Sequence, residues 1–252
     1  MSKLIAITGK GGVGKTTFSA LLIKQLIANG KSPVLAIDAD PNSCLDAALG
    51  VTVTSTVGKA REEVREEAAA AAANGISKQQ MLEMKISESL VESKGFDMIS
   101  MGRPEGSGCY CYANNILKSV IGQISNEYPY VVLDNEAGLE NLSRRIVQNV
   151  HILVLVSDAS QNGINTLTRL YELANEMTVK YEKLYIVINR VRNLTAPAII
   201  ESIKKLKKIT NADEVILLPE DSEIAEYSET DQSLLNLPDN NPVLKLINII
   251  PI

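Results

Sequence analysis

Tryptophan is absent from this chain of 252 residues, phenylalanine occurs twice and histidine once. The interior must therefore be assembled from Ile, Leu, Val and Ala. That suits helices packed on a parallel sheet, whose central strands read as unbroken aliphatic runs. Long apolar stretches are also missing. His151–Val156 (HILVLV) is far short of a membrane span, and the start, MSKLIAITGK, holds too short an apolar run for a signal peptide. A cytoplasmic location is expected. With only three cysteines, a reducing compartment excludes a disulfide framework and leaves metal binding, catalysis or inert packing. Excess positive charge is lacking too. At a net charge of −5 and with no basic stripe, nucleic acid is a poor partner. The apolar segment Pro242–Ile252 carries one lysine, unlike a basic amphipathic membrane anchor.

What is present is an alternation. The aliphatic runs Leu4–Thr8, Pro33–Ile37, Met98–Met101, Tyr130–Leu133, His151–Val156, Leu184–Ile188 and Val215–Leu218 are short, rich in Ile and Val, and bounded by turn residues, which marks them as strands. Helical spacing runs from about Lys15 to Asn29, over Thr166–Lys180 and over Ala198–Lys208. The pattern predicts an α/β fold, a mostly parallel central sheet flanked by helices, in one domain over residues 1–252. Ala60–Asn74, rich in Ala, Glu and Arg, interrupts the alternation and predicts a helical insertion at about 58–95. His151, at the entry to a strand, reads as a satisfied core or edge histidine rather than a metal ligand.

The motif with the most chemistry is Gly9-Lys10-Gly11-Gly12-Val13-Gly14-Lys15-Thr16, which fits the phosphate-binding pattern G-x-x-x-x-G-K-[ST]. Its glycines let the backbone close around phosphate oxygens with N–H groups aimed inward. The following helix adds its positive end. Lys15 is placed to contact the β- and γ-phosphates and Thr16 to hold Mg²⁺; Thr17 completes the grip. The motif follows a strand and opens a helix, as that mechanism requires. An ATPase using ATP and Mg²⁺ is therefore expected.

Carboxylates end two strands, where open α/β sheets bind ligands. Val131–Asp134 (VVLD) reads as a Walker B strand running into a switch loop, with Asp134 as an Mg²⁺ ligand through water and the Gly138 N–H as a γ-phosphate sensor. Asp38 and Asp40 close the strand before Pro41, and Asp38 is near enough to organise the Mg²⁺ shell. Glu140, Arg144 and Arg145 read as a solvated, paired helix face.

Lysine at the second loop position is not needed to hold phosphate within one subunit. KGGVGKT resembles the deviant Walker A signature of the MinD/ParA and nitrogenase iron protein ATPases, the SIMIBI class of P-loop NTPases. The resemblance implies a homodimer that sandwiches ATP, with Lys10 acting in trans. It also implies that Asp40 orients the attacking water, that Asn189 recognises adenine, and that Pro219 and Glu220 form a second base-contacting segment.

Gly108-Cys109-Tyr110-Cys111 carries two thiols that point the same way in an extended segment. A two-fold axis there assembles four thiolates, a set suited to Zn²⁺, an Fe–S cluster or, if flatter, Ni²⁺. Together, KGGVGKTT, IDADPNSCL, GCYCYANN and DNEAGLENLSRR resemble the CooC family of nickel-insertion ATPases over nearly the whole chain. That resemblance implies Ni²⁺ (or Zn²⁺) at Cys109 and Cys111 on a dimer interface formed on nucleotide or metal binding, with apo carbon monoxide dehydrogenase as client. Cys44 is read as a small buried residue. Acetyl-CoA synthase as client, an ATP-gated Fe–S electron donor and a positioning ATPase are the other readings of the same sequence.

Overall fold

The computed structural model of the protein describes residues 2–42, 44–73, 75–102, 122, 124–138 and 149–250. Strand β1 (Lys3–Gly9) shows why a sheet forms. Leu4 and Ala6 face one layer, Ile5 and Ile7 the other, and all are buried. Apolar side chains on both faces of an alternating backbone require cover on both faces. The same holds for β2 (Val34–Asp38), β4 (Phe96–Ser100), β5 (Tyr130–Asp134), β6 (Asn149–Asp158), β7 (Lys180–Val191) and β8 (Glu214–Pro219). With the short β3 (Val91–Ser93) they form one eight-stranded sheet in the order β3-β4-β2-β5-β1-β6-β7-β8. Among the described residues only β3, on the edge, runs antiparallel.

One layer of helices is α1 (Lys15–Ala28), α2 (Leu45–Leu49) and α8 (Pro242–Ile247), whose buried Phe18, Leu22, Leu49 and Leu244 share a core with Ile5 and Ile7. The other layer is α5 (Gln161–Glu176) and α6 (Pro197–Thr210), through Leu167, Leu170 and Leu206. Between β2 and β4 the helices α3 (Val57–Ala73) and α4 (Lys78–Glu88) pair with each other, joined by Lys85 to Glu63 at 2.9 Å. Val57 and Ile86 fasten them to the sheet. A capping box starts α4: the Ser77 hydroxyl accepts from the Gln80 N–H, and the Gln80 side chain accepts from the Ser77 N–H. The helix α7 (Ser222–Glu229) follows β8.

All seven strands expected from the sequence are present, most of them longer than the aliphatic runs that mark them. The helix expected over Thr166–Lys180 instead spans Gln161–Glu176. Ser160 caps it by accepting from the Gly163 N–H, and Thr178, at a φ of 54°, turns the chain into β7. The apolar C-terminal run is spent on the core, where Val243, Leu244, Ile247 and Ile250 are buried against α1. No helix of the described residues is long and apolar enough to cross a membrane. His151 accepts the Leu4 N–H at its Nδ1, 3.0 Å away, and so is a satisfied histidine. Cys44 is exposed rather than buried, because it precedes α2 at the protein surface. Helix α6 presents Lys204, Lys205, Lys207 and Lys208 to solvent, a basic run that composition alone conceals; Lys207 is paired with Glu214 at 2.5 Å.

Candidate nucleotide site

β1 lies between β5 and β6, so the connections diverge to left and right beyond its carboxyl end, the place where open parallel sheets bind ligands. The loop from β1 to α1 begins there. A Cβ on Gly9 would fall 2.0 Å from the Val156 carbonyl oxygen, so only glycine lets the two strands run together to this point. Gly12 and Gly14 hold φ values of 76° and 91°, a left-handed backbone that other residues adopt at a cost. Gly14 is also the N-cap of α1 and offers no side-chain cap, and the first turn contains no acid. The positive end of α1 and its free N–H groups are thus left for an anion.

Lys15 is buried and its Nζ donates to the Lys10 carbonyl at 3.2 Å, so the ammonium lies folded over the loop. Lys10 itself is exposed. At the next position, the Thr16 hydroxyl donates to Asp134 Oδ2 at 2.7 Å. The Ser19 hydroxyl lies 3.0 Å from both Asp134 Oδ1 and the Lys15 carbonyl, and its single proton serves one of them at a time. Burial pushes Asp134 up to about 6, against the pull of the Thr16 and Ser19 hydroxyls and the Lys15 charge.

Asp38 stands beside Asp134 in the β2–β5 register. Burial pushes it to about 7, opposed by the backbone N–H of Leu45 and reinforced by the Asp134 charge. Its oxygens accept from the backbone N–H groups of Asp40, Cys44 and Leu45, at 3.0, 2.9 and 3.0 Å. Asp40 is half-buried; its Oδ1 accepts from the Asn42 backbone and side chain. Beyond Asp134, the Gly138 N–H donates to the Gly9 carbonyl at 2.9 Å, and the Thr8 hydroxyl donates to the Gly138 carbonyl. In this arrangement the N–H expected to sense phosphate is already occupied.

The other wall comes from β7 and β8. Between Ile188 and Val191 their register shifts, and this bulge aims Asn189 and Arg190 at the loop. Asn189 Nδ2 donates to the Val13 carbonyl at 2.9 Å while its Oδ1 accepts the Arg190 N–H at 3.0 Å. One amide proton and one lone pair remain for a base. A cleft of about 360 Å³ opens here, lined by Thr17, Phe18, Asn189, Pro219, Glu220 and Asp221 among others. Glu220 pairs with Arg192 at 3.0 Å.

The fold thus brings Lys10, Gly11, Gly12, Val13, Gly14, Lys15, Thr16, Thr17, Asp38, Asp40, Asp134, Gly138, Asn189, Pro219 and Glu220 to the carboxyl ends of the strands. Cys109 and Cys111, like Glu140, Arg144 and Arg145, lie outside the described residues. Sequence reading misses Ser19, Arg190, Thr8 and Asp158. Ser19 follows Thr16 by three residues and so shares its helix face, a signal that helical periodicity contains. Asp158 ends β6; the Ser160 hydroxyl and N–H hold it below the usual carboxylate range, aided by the nearby charges of Lys10 and Arg190.

A glycine loop opening an uncapped helix, a buried lysine and a hydroxyl on that helix bonded to a carboxylate on the neighbouring strand β5 define a P-loop nucleoside triphosphatase site. Residues 4–235 match the family model of the CobQ/CobB/MinD/ParA nucleotide binding domain. An uncharacterized ATP-binding protein of Methanocaldococcus jannaschii is 46% identical over 249 residues, covering 97% of this chain and 95% of that protein. The carbon monoxide dehydrogenase accessory protein CooC of Rhodospirillum rubrum is 30% identical over 188 residues, 70% of each chain. Among solved structures, a ParA family ATPase from Chlorobium tepidum superposes with a TM-score of 0.72 at 17% identity, over 98% of this chain and 97% of that one. The chain belongs to the CobQ/CobB/MinD/ParA nucleotide-binding family and is an ATP-binding ATPase of the P-loop class.

Proposed function

We propose that the protein is an ATP-driven metallochaperone that carries nickel between two copies of the chain and releases it to apo carbon monoxide dehydrogenase. The ATPase half rests on the Thr16–Asp134 contact at 2.7 Å beside the buried Lys15. A hydroxyl and two buried carboxylates form an all-oxygen donor set, which suits Mg²⁺. The raised pKa values of Asp38 and Asp134 describe charges that a divalent cation relieves. Thr16 would hold Mg²⁺ directly, Asp134 and Asp38 through its water shell. When bound, Mg²⁺ neutralises charge on the β- and γ-phosphate oxygens.

The chain's own residues do the remaining work. Gly11–Thr17 bind phosphate through backbone N–H groups and Lys15. Asp40 orients the water for in-line attack. Asn189, Pro219 and Glu220 hold the base. The Gly138 N–H exchanges the Gly9 carbonyl for the γ-phosphate, which couples nucleotide state to the loop after Asp134. Lys10, exposed at the rim, reaches the nucleotide of a second copy and stabilises its transition-state charge. Cys109 and Cys111 from both copies hold the metal at the two-fold, and closure on ATP changes the geometry of that site.

Cys109-x-Cys111 in the sequence, together with the CooC relative at 30% identity, supports nickel as the cargo. The coupling requires nickel to bind one nucleotide state more tightly than the other. Nickel affinity measured anaerobically with ADP and with a non-hydrolysable ATP analogue should differ, and Cys109→Ser should abolish tight binding. Equal affinity in both states would falsify the chaperone cycle while leaving the ATPase intact.

A further inference from the structure

The phosphate loop is held from behind by two side chains of β7. Arg190 Nη1 donates to the Gly12 carbonyl at 3.3 Å and Asn189 Nδ2 to the Val13 carbonyl at 2.9 Å. In a trans peptide the C=O and N–H point in opposite directions. Holding these two carbonyls therefore turns the N–H groups of Val13 and Gly14 away from β7, toward the far side of the loop. Lys15 does the same for the Gly11 N–H by donating to the Lys10 carbonyl at 3.2 Å. Three donors of one short loop are thus aimed by groups that bind their partner carbonyls.

The local cost of this arrangement indicates that it is specified. Arg190 sits at a φ of 55°, a strained backbone for a residue with a Cβ, inside the bulge where the β7–β8 register shifts. The bulge delivers both side chains to the loop instead of continuing the ladder. Gly14 accommodates the approach, since a Cβ there would lie 2.5 Å from Asn189 Nδ2. The arginine is solvent-exposed, so core packing does not account for its placement.

We propose that Asn189 and Arg190 form a positioning clamp on the phosphate loop, so that they set affinity for the phosphates of any ligand and not only the fit of a base. This rests on the nucleotide-site reading above. It assigns Arg190 a role and gives Asn189 a second one. The ligand class is a polyphosphate, with or without a nucleoside.

Arg190→Gly separates the clamp from folding, because glycine relaxes the left-handed backbone while removing the guanidinium. Calorimetric titration with Mg-ATP and with inorganic tripolyphosphate should show affinity for both falling by the same factor, about tenfold. The melting temperature should stay at or above that of the natural protein. Arg190→Lys, which keeps a donor and a charge, should restore most of the loss for both ligands. If tripolyphosphate binds Arg190→Gly as tightly as it binds the natural protein while ATP binding weakens, Arg190 acts on the base or sugar and the clamp is wrong. If the natural protein binds neither ligand, the nucleotide-site reading itself fails.

Discussion

Asp38 and Asp134 end adjacent strands in register, both buried and both pushed above the ordinary carboxylate range, yet they are bonded to different kinds of group. Asp134 accepts from two side-chain hydroxyls, Thr16 and Ser19. Those contacts exchange readily for a cation and its water shell, because a hydroxyl can turn its proton elsewhere. Asp38 accepts from three backbone N–H groups and so fixes the path from β2 into α2. Giving these up means moving the chain. Two identical residues at one level of the sheet therefore divide the labour. Asp134 can trade its hydroxyl contacts for a cation at little structural cost, whereas Asp38, beside its proposed share in the Mg²⁺ shell, shapes the loop that carries Asp40.

The largest test of this division is Asp134→Asn. Steady-state ATP turnover should fall by about 100-fold or more, since the charge proposed to hold the Mg²⁺ shell is gone. The nucleotide-free protein should melt no lower than the natural one at pH 8. Asp38→Asn should show the reverse balance. At pH 5, where the natural Asp38 carboxyl is itself protonated, losing one acceptor of buried backbone N–H groups should cost about 1–3 kcal/mol in denaturant unfolding, with turnover reduced by about tenfold or less. If the two variants lose activity and stability in the same proportion, the contrast between them is wrong.

The pH dependence sharpens the same point. Both carboxyls have folded pKa values, about 6 for Asp134 and about 7 for Asp38, above the unfolded value of 3.8. The folded protein therefore binds more protons than the unfolded chain between these limits. The resulting stability is fully present below pH 3.8 and lost as pH rises through about 6 to 7. The melting temperature of the nucleotide-free protein should fall across pH 5 to 8 more steeply than that of Asp134→Asn or Asp38→Asn, by a few degrees. Mg-ADP should flatten the profile and release protons on binding near pH 6.5, which calorimetry in buffers of different ionisation enthalpy would detect. The smallest effect is expected of Ser19→Ala. It removes one donor to Asp134, and Mg²⁺ dependence should weaken about threefold.

Much of this site is legible in one dimension. The glycine loop is contiguous, so its spacing alone encodes a left-handed turn and a helix start. Asp134 is legible because an aliphatic run ends on it. Arg190 is not, because its role depends on a bulge created by β8, more than twenty residues further along the chain. The difference between Asp38 and Asp134 is equally invisible, since both read as an acid after a buried strand. The start of α5 at Ser160 lay within reach of capping rules, whereas the burial of the C-terminal run needed α1 and β8 as partners.

By itself the sequence determined a parallel sheet wrapped in helices and a loop shaped for phosphate. Short-range periodicity and glycine placement carry those properties locally. Only the tertiary structure decided which acid is held by hydroxyls and which by backbone N–H groups, which carbonyls of the loop are held, and that the final apolar segment belongs to the core. Each of these depends on hydrogen bonds and burial between strands far apart in the chain, and no local pattern records such pairings.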